Sequence, residues 1–411
     1  MAQLVSAKGN DVLAWRASGD FTATYRQILL SRMEFCRSGE AEDILNGVIG
    51  DLEGLAAANE AFCSRFDALL DEVAQCHDIV RLRELTTACF SELYAQFTVH
   101  RSAPAFYQFS AHYLHALAGA VAGYGFRRLE ASPRQLPVLA LIALGPAGRQ
   151  EFSPFCPLQI MLVHGQASET DLLLIARFTT FLREGFAACG LRMDEVVAPH
   201  MPFWRGSLNE WESRLESDLE SGTPTELVEL LRLTDQTLLH GDAELFEQFR
   251  RSSLEILSSS HGAVANLVSR AVALSNGIGI MGGLRFEKSG PFKGRFALLE
   301  HALQPLSASA SVLGLLKHLE AVSTPRRIRE LLWRRDLNVD MAESLLAAWH
   351  TLHEMRLIRE QEVQPDWNDA SPLHLDIDSL GVEEQEIFRE SLESVGTIQR
   401  HIGLNFSGPA E

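Results

Sequence analysis

Residues 139–165 read LALIALGPAGRQEFSPFCPLQIMLVHG. Two short apolar runs flank a segment punctuated by glycine and proline, the pattern of a strand, a tight turn and a second strand. The same order is the layout of a phosphate-handling site, because a glycine turn lets backbone N–H groups face an anion. Yet the second run carries no carboxylate, where metal-dependent phosphoryl chemistry calls for two.

Outward from this stretch the pattern divides the chain. Upstream, ASPRQLP at 131–137 reads as a linker, and from residue 20 to about 128 apolar residues recur at three- and four-residue spacing, which predicts amphipathic helices. The small residues of HALAGAVAGYGF (115–126) predict close helix packing. Downstream, buried strands are expected at 137–144 and 158–164, a helix at 168–188 and a third strand at 191–198. Helices resume near Ser207, which with Glu210 has the spacing of a capping box. The remainder is mostly helical, broken at 282–306 by glycines and prolines that predict a hairpin or an ordered loop. Ser323 or Thr324 is expected to cap a helix with Pro325 in its first turn. A longer helix then carries one apolar stripe at 341, 345, 349, 352 and 355. The fold class is therefore α+β: an α/β domain at 135–260 between a helical N-terminal domain at 1–134 and a helical domain at 261–411.

Length and charge restrict the function. A chain of 411 residues holds two or three domains. A formal charge of -18 opposes polyanion binding, so no nucleic acid is expected as a partner. STPRRIRELLWRRD (323–336) is the one basic candidate, and a capped helix with solvated arginines is its plainer reading. Six scattered cysteines without a C-x-x-C pair, and no signal peptide, predict reduced thiols and a cytoplasmic location. The longest apolar run, 136–144, is too short to cross a bilayer, so no membrane association is expected.

The strand, G-x-x-G-R-x-E turn, strand order resembles the nucleotidyltransferases of the DNA polymerase beta superfamily. It is closer still to the bacterial branch related to the protein-PII uridylyltransferase, whose members read G-S-x-G-R-x-E-x-x-x-x-T-D-x-D. Gly145, Gly148, Arg149 and Glu151 match that pattern, whereas Pro146 stands for the serine, Cys156 for the threonine, and Pro157 and Gln159 for the two aspartates. FWRGSLNEWESRL (203–215) is similar to the W-R-x-S-L-x-x-W signature of the branch. LTDQTLLHGDAELFEQFR (233–250) is similar to its D-x-R-x-V-x-G-D segment, with Thr237 in place of arginine. The segment from Leu284 onward resembles the substrate-binding domain that accompanies the branch.

The resemblance implies a polymerase-beta-like α/β domain using Mg²⁺ and a nucleoside triphosphate. In such a domain two aspartates at i and i+2 point to one face and hold the metal. Pro157 offers no ligand there and Gln159 only an amide oxygen, so no metal is expected to bind at these degenerate positions, and no cofactor. The substitutions point to a pseudoenzyme acting in signal transduction, with a regulatory protein as partner and self-association as a homodimer left open. The alternative is an active enzyme of the protein-PII uridylyltransferase type, using Asp194, Glu195 and Glu151 as catalytic carboxylates and Mg²⁺ with a nucleoside triphosphate. Gly145, Gly148 and Arg149 remain candidates for holding a phosphate, against the reading in which Arg149 and Glu151 form an internal salt bridge.

Other motifs have plainer readings. His350 and His353 lie a helical turn apart, but no third metal ligand is evident and a surface pair is expected. The glycines of SNGIGIMGG (275–283) lack the spacing of a nucleotide loop and read as a connection. Trp204 and Trp211 are expected in one core. Cys156 has no evident histidine and acid partner for nucleophilic work. Lys288, Lys293 and Arg295 are expected as exposed hairpin charges.

Overall fold

The computed structural model describes residues 41–130, 135–221, 230–259, 261–279 and 281–406. The helical reading of residues 20–40 and most of the linker at 131–137 lie outside these. The described chain opens with helices α1 (Ala41–Gln75), α2 (Ile79–His100) and α3 (Ala103–Arg128). Asp78 starts α2 by accepting the Val80 N–H at 3.0 Å, and α2 ends where Arg101 turns left-handed at φ 50°. Ser102 then caps α3, with Pro104 in its first turn.

A four-stranded mixed sheet follows, in the order β3-β2-β1-β4. It comprises β1 (Leu139–Leu144), β2 (Gln159–His164), β3 (Arg205–Ser207) and β4 (Thr237–Gly241). Its helices are α4 (Glu169–Ala188), α5 (Leu208–Ser221) and α6 (Ala243–Ser259). Every residue of β1 after Leu139 is buried, because α3 and α6 both pack on the sheet. The small residues of α3 serve the expected close packing. A Cβ on Gly125 would lie 2.9 Å from the Phe178 ring of α4, and one on Gly185 of α4 would lie 2.8 Å from Val121. The expected capping box of Ser207 with Glu210 starts α5, and a second one, Ser168 with Asp171, starts α4.

Two strand assignments need correction. The segment 191–198 is not a regular strand: it meets the sheet at a Leu158–Met193 bridge and again where Ile160 N–H donates to the Val197 carbonyl at 3.3 Å. Asp194 Oδ1 accepts the N–H groups of Val196 and Val197, both at 2.9 Å, and this turn bends the chain away. The third position is taken by β3, parallel to β2. The sheet also gains β4 from TLLHG, within a region expected to be helical; Gly241 at φ 112° ends it against the Leu139 carbonyl.

The C-terminal part contains α7 (His261–Ala273), α8 (Gln304–Leu316), α9 (Thr324–Trp333), α10 (Val339–Val363) and α11 (Val382–Phe406). A two-stranded ribbon of β5 (Phe296–Ala297) and β6 (His374–Leu375) lies beside them. The expected hairpin forms at 287–295 through paired backbone bonds between Glu287 and Arg295 or Gly294, and Lys288, Lys293 and Arg295 are exposed on it. Ser323 takes the N-cap position of α9 but its side chain makes no capping bond. The core is continuous across all three parts, running from Phe62 through Ile142 and Trp211 to Ile402. No helix among the described residues is long and apolar enough to cross a membrane.

Candidate functional site

A cleft of about 560 Å³ opens where the Gly145 turn meets the C-terminal helices. Its walls come from Gly145, Pro146 and Arg149, from Phe155 to Pro157 with Gln159, from Asp194, from the 3-10 turn at Leu231–Thr234, and from helices α7, α8 and α10. A volume of this size suits a small molecule.

The register of the sheet sets the floor. Leu144 pairs with Gln159, which brings the glutamine side chain against Gly145. A Cβ on Gly145 would come within 2.3 Å of Gln159 Oε1, and the turn there needs φ +57°. Gln159 Nε2 donates to Asp194 Oδ2 at 3.1 Å, while Oε1 is buried without a hydrogen-bond partner. Asp194 is therefore engaged on both oxygens. Glu195 is exposed and does not line the cleft. Glu151 lines the wall, but it accepts Arg149 Nε at 2.9 Å, the Thr324 N–H at 3.1 Å and Trp349 Nε1 at 3.2 Å. Gly148 packs instead of facing the cleft: a Cβ there would sit 1.9 Å from the Asp235 carbonyl oxygen. Thr237 Oγ1, at the arginine position of the motif, donates to the Gly148 carbonyl at 2.7 Å.

These residues do not fit a magnesium site. Hard cations want several free oxygen donors in octahedral array. Pro157 supplies none, Gln159 turns its amide N–H to Asp194, and Glu151 is bonded on both oxygens. Among the described residues no three His, Cys, Asp or Glu side chains are grouped to hold a metal. The set Asp194, Glu195 and Glu151 is thus split: two members line the cleft, each engaged elsewhere, and the third faces solvent.

Two buried ionic networks frame the cleft. In the first, Asp235 takes Arg149 Nη1 at 2.7 Å on one oxygen, and Arg327 Nη1 at 2.6 Å with Ser311 Oγ at 2.9 Å on the other. Burial alone would lower the Arg149 pKa, but Asp235 and Glu151 hold it above the ordinary guanidinium value. The internal salt bridge of Arg149 and Glu151 is present, and Asp235 extends it into α8 and α9. Arg327 is only 2% exposed, which corrects the reading of residues 323–336 as a wholly solvated basic face.

The second network joins all three parts of the chain. Glu360 of α10 accepts Arg356 Nε at 2.6 Å, Ser153 Oγ at 2.8 Å and the Tyr94 hydroxyl of α2 at 2.9 Å. Arg356 Nη2 also reaches Ser153 Oγ at 2.6 Å and Cys156 Sγ at 2.8 Å. The expected surface histidine pair is corrected here too: His353 is buried, 2.7 Å from the Tyr107 hydroxyl through Nδ1. Its side chain falls on the apolar stripe of α10, where the helical period turns it inward.

His353 carries a pH signature. Burial, then the charges of Arg356 and Arg149 and the neighbouring His350, push its pKa well below the ordinary 6.5. The unfolded chain accepts a proton that the folded chain refuses, so stability is full above about pH 6.5 and falls as pH drops below it, by up to about 1.4 kcal/mol per pH unit. Urea unfolding of wild type and His353→Gln at neutral pH and at about pH 5 checks this. The acid loss is expected to be smaller in the variant by up to that slope.

Trp204 and Trp211 are core residues, as expected, with ring centroids 6.0 Å apart and Trp211 Nε1 directed at the Leu162 carbonyl. Asp235, Arg327, Arg356 and Glu360 were not among the expected site residues. One signal for the last two was present: an arginine and a glutamate at i, i+4 adjoin the apolar stripe of α10, an unusual place for charge unless it is paired.

Fold and cleft together define a nucleotidyltransferase-like α+β protein with a helical domain closing over its glycine turn. The family described as "Putative nucleotidyltransferase DUF294" matches residues 91–225, and that described as "Putative nucleotidyltransferase substrate binding domain" matches residues 262–406. The chain belongs to this nucleotidyltransferase family. The first match begins inside α2 and so takes in α3, in keeping with the packing of α3 on β4 and α4. No curated protein matches the chain.

Proposed function

We propose that this chain is a nucleotidyltransferase-fold protein that binds and regulates without metal-dependent nucleotidyl transfer. The observation that carries this is the Gln159–Asp194 hydrogen bond: an amide N–H occupies the carboxylate that a divalent cation would need. The resemblance to the protein-PII uridylyltransferase branch supports a role in signal transduction in the bacterial cytoplasm. The net charge of -18 favours a regulatory protein or a second copy as partner over a polyanion.

Labelled nucleoside triphosphates with Mg²⁺ or Mn²⁺ test the reading. Wild type is expected to transfer no label to itself or to an added regulatory protein, and to bind Mn²⁺ no better than a surface acid does. Pro157→Asp combined with Gln159→Asp restores two carboxylates at i and i+2 beside Asp194, and Mn²⁺ affinity is expected to rise at least about tenfold. Turnover by wild type, lost in Asp194→Asn, establishes the active-enzyme alternative instead.

A further inference from the structure

The hairpin at 287–295 and helix α11 carry opposite charges side by side. Arg285, Lys288, Lys293 and Arg295 are all exposed on or beside the hairpin. On α11, Glu383, Glu386, Glu390 and Glu393 recur at intervals of three and four residues, which puts them on one face, and all four are exposed. Among the described residues no side chain pairs with any of these charges. The two elements nevertheless touch: Arg389 of α11 donates to the Gly282 carbonyl at 2.7 Å, and the Phe296 and Phe388 rings lie 5.0 Å apart. Phe286, 42% exposed, and Val382, 85% exposed, add apolar surface to the same two elements. The segment bearing the hairpin is tethered at both ends to the cleft, whose lining includes Leu274 and Leu299.

Resting on the binding-protein reading above, we infer that the partner at this surface is a second copy of the chain, in a two-fold homodimer that lays the hairpin of each protomer on the glutamate stripe of the other. A cluster of cations beside a cluster of anions is complementary to itself, and a two-fold axis between them makes both contacts at once. A uniformly acidic partner meets the glutamates, and a uniformly basic one meets the hairpin; like charges set face to face disfavour each. The exposed Phe286 and Val382 then lie on surface that pairing covers, where their burial adds to the charge contacts.

Sedimentation of the full chain tests this. In about 0.1 M salt, where repulsion between two copies is screened beyond about 10 Å, wild type is expected to run as a dimer at concentrations up to about 100 μM. Lys288→Glu with Lys293→Glu reverses part of the hairpin, and Glu386→Lys with Glu390→Lys part of the stripe. Each pair is expected to weaken self-association at least about tenfold while circular dichroism stays unchanged, since all four positions are exposed. Net charge alone predicts the opposite for the second pair, because each Glu→Lys adds two charges and brings -18 to -14. Mixed together, the two variants are expected to form a heterodimer at wild-type affinity, since both contacts again join opposite charges. Monomeric wild type overturns the inference and leaves the surface to another partner. So does a dimer that either variant pair leaves intact, or a mixture whose components stay apart. The label-transfer assay reads nucleotidyl transfer independently, so a monomer that transfers no label sinks this inference and leaves the function proposal standing, whereas a dimer that transfers label does the reverse.

Discussion

Replacing Arg327 with alanine is expected to destabilise the chain by about 3–5 kcal/mol, the cost of removing one partner from a buried ion pair. The site explains the size. Arg327 bonds Asp235 at 2.6 Å, Ser311 Oγ at 2.7 Å, and the carbonyls of Thr234 and Ala321 at 2.7 and 2.9 Å. Alanine leaves those acceptors in a pocket that water enters poorly, and Asp235 keeps only Arg149 as a cation. It also empties space beside Gly314, whose missing Cβ would lie 3.0 Å from Arg327 Nε. Urea denaturation of Arg327→Ala, Asp235→Asn and the double variant measures the coupling. The double variant should be more stable than the two single losses summed, by about 1–3 kcal/mol. Additive losses would show that Arg327 acts through packing alone.

The local features of this fold were legible because their signals are local. The capping box at Ser207 depends on residues three positions apart, and the strands at 139–144 and 159–164 follow from short apolar runs between turn residues. That positions 157 and 159 carry no pair of carboxylates could be read directly, since i and i+2 on an extended segment share a face. What Gln159 does instead could not: its bond to Asp194 depends on where the chain bends after Met193. The third strand was misplaced for a related reason. LRMDEVVA has strand composition, yet the Asp194 side chain competes for the backbone N–H groups two and three residues on.

Arg327 and His353 show a different limit. Arg327 follows the exposed Arg326 and His353 lies between the polar residues Thr351 and Glu354, and only tertiary contact supplies the partner each one has. The partner of Arg327 lies 92 residues away and that of His353 lies 246 away. Helical phase marks which side is inward, but it does not say whether an inward polar group finds a partner. That separation explains how one site was partly foreseen: the residues of the glycine turn were evident, while the arginines and acids that complete the cleft come from the C-terminal helices.

Glu360→Ala is the second large effect expected, again about 3–5 kcal/mol, for a carboxylate of 0% exposure that holds three groups from three parts of the chain. Without it Arg356 keeps only Ser153 Oγ and Cys156 Sγ among the hydrogen-bond partners described above. Burial would then act on the Arg356 charge without its nearest carboxylate. Truncating Tyr94 to phenylalanine removes only one neutral donor to Glu360 and should cost about 1 kcal/mol. The two variants therefore separate the charge from the hydrogen bond. Equal losses in both would mean that Glu360 is not buried as an ion, and the second network would then hold the three parts together by packing alone. A large loss in Glu360→Ala, relieved by at least about 1 kcal/mol when Arg356→Met is added, identifies the unpaired guanidinium as the source.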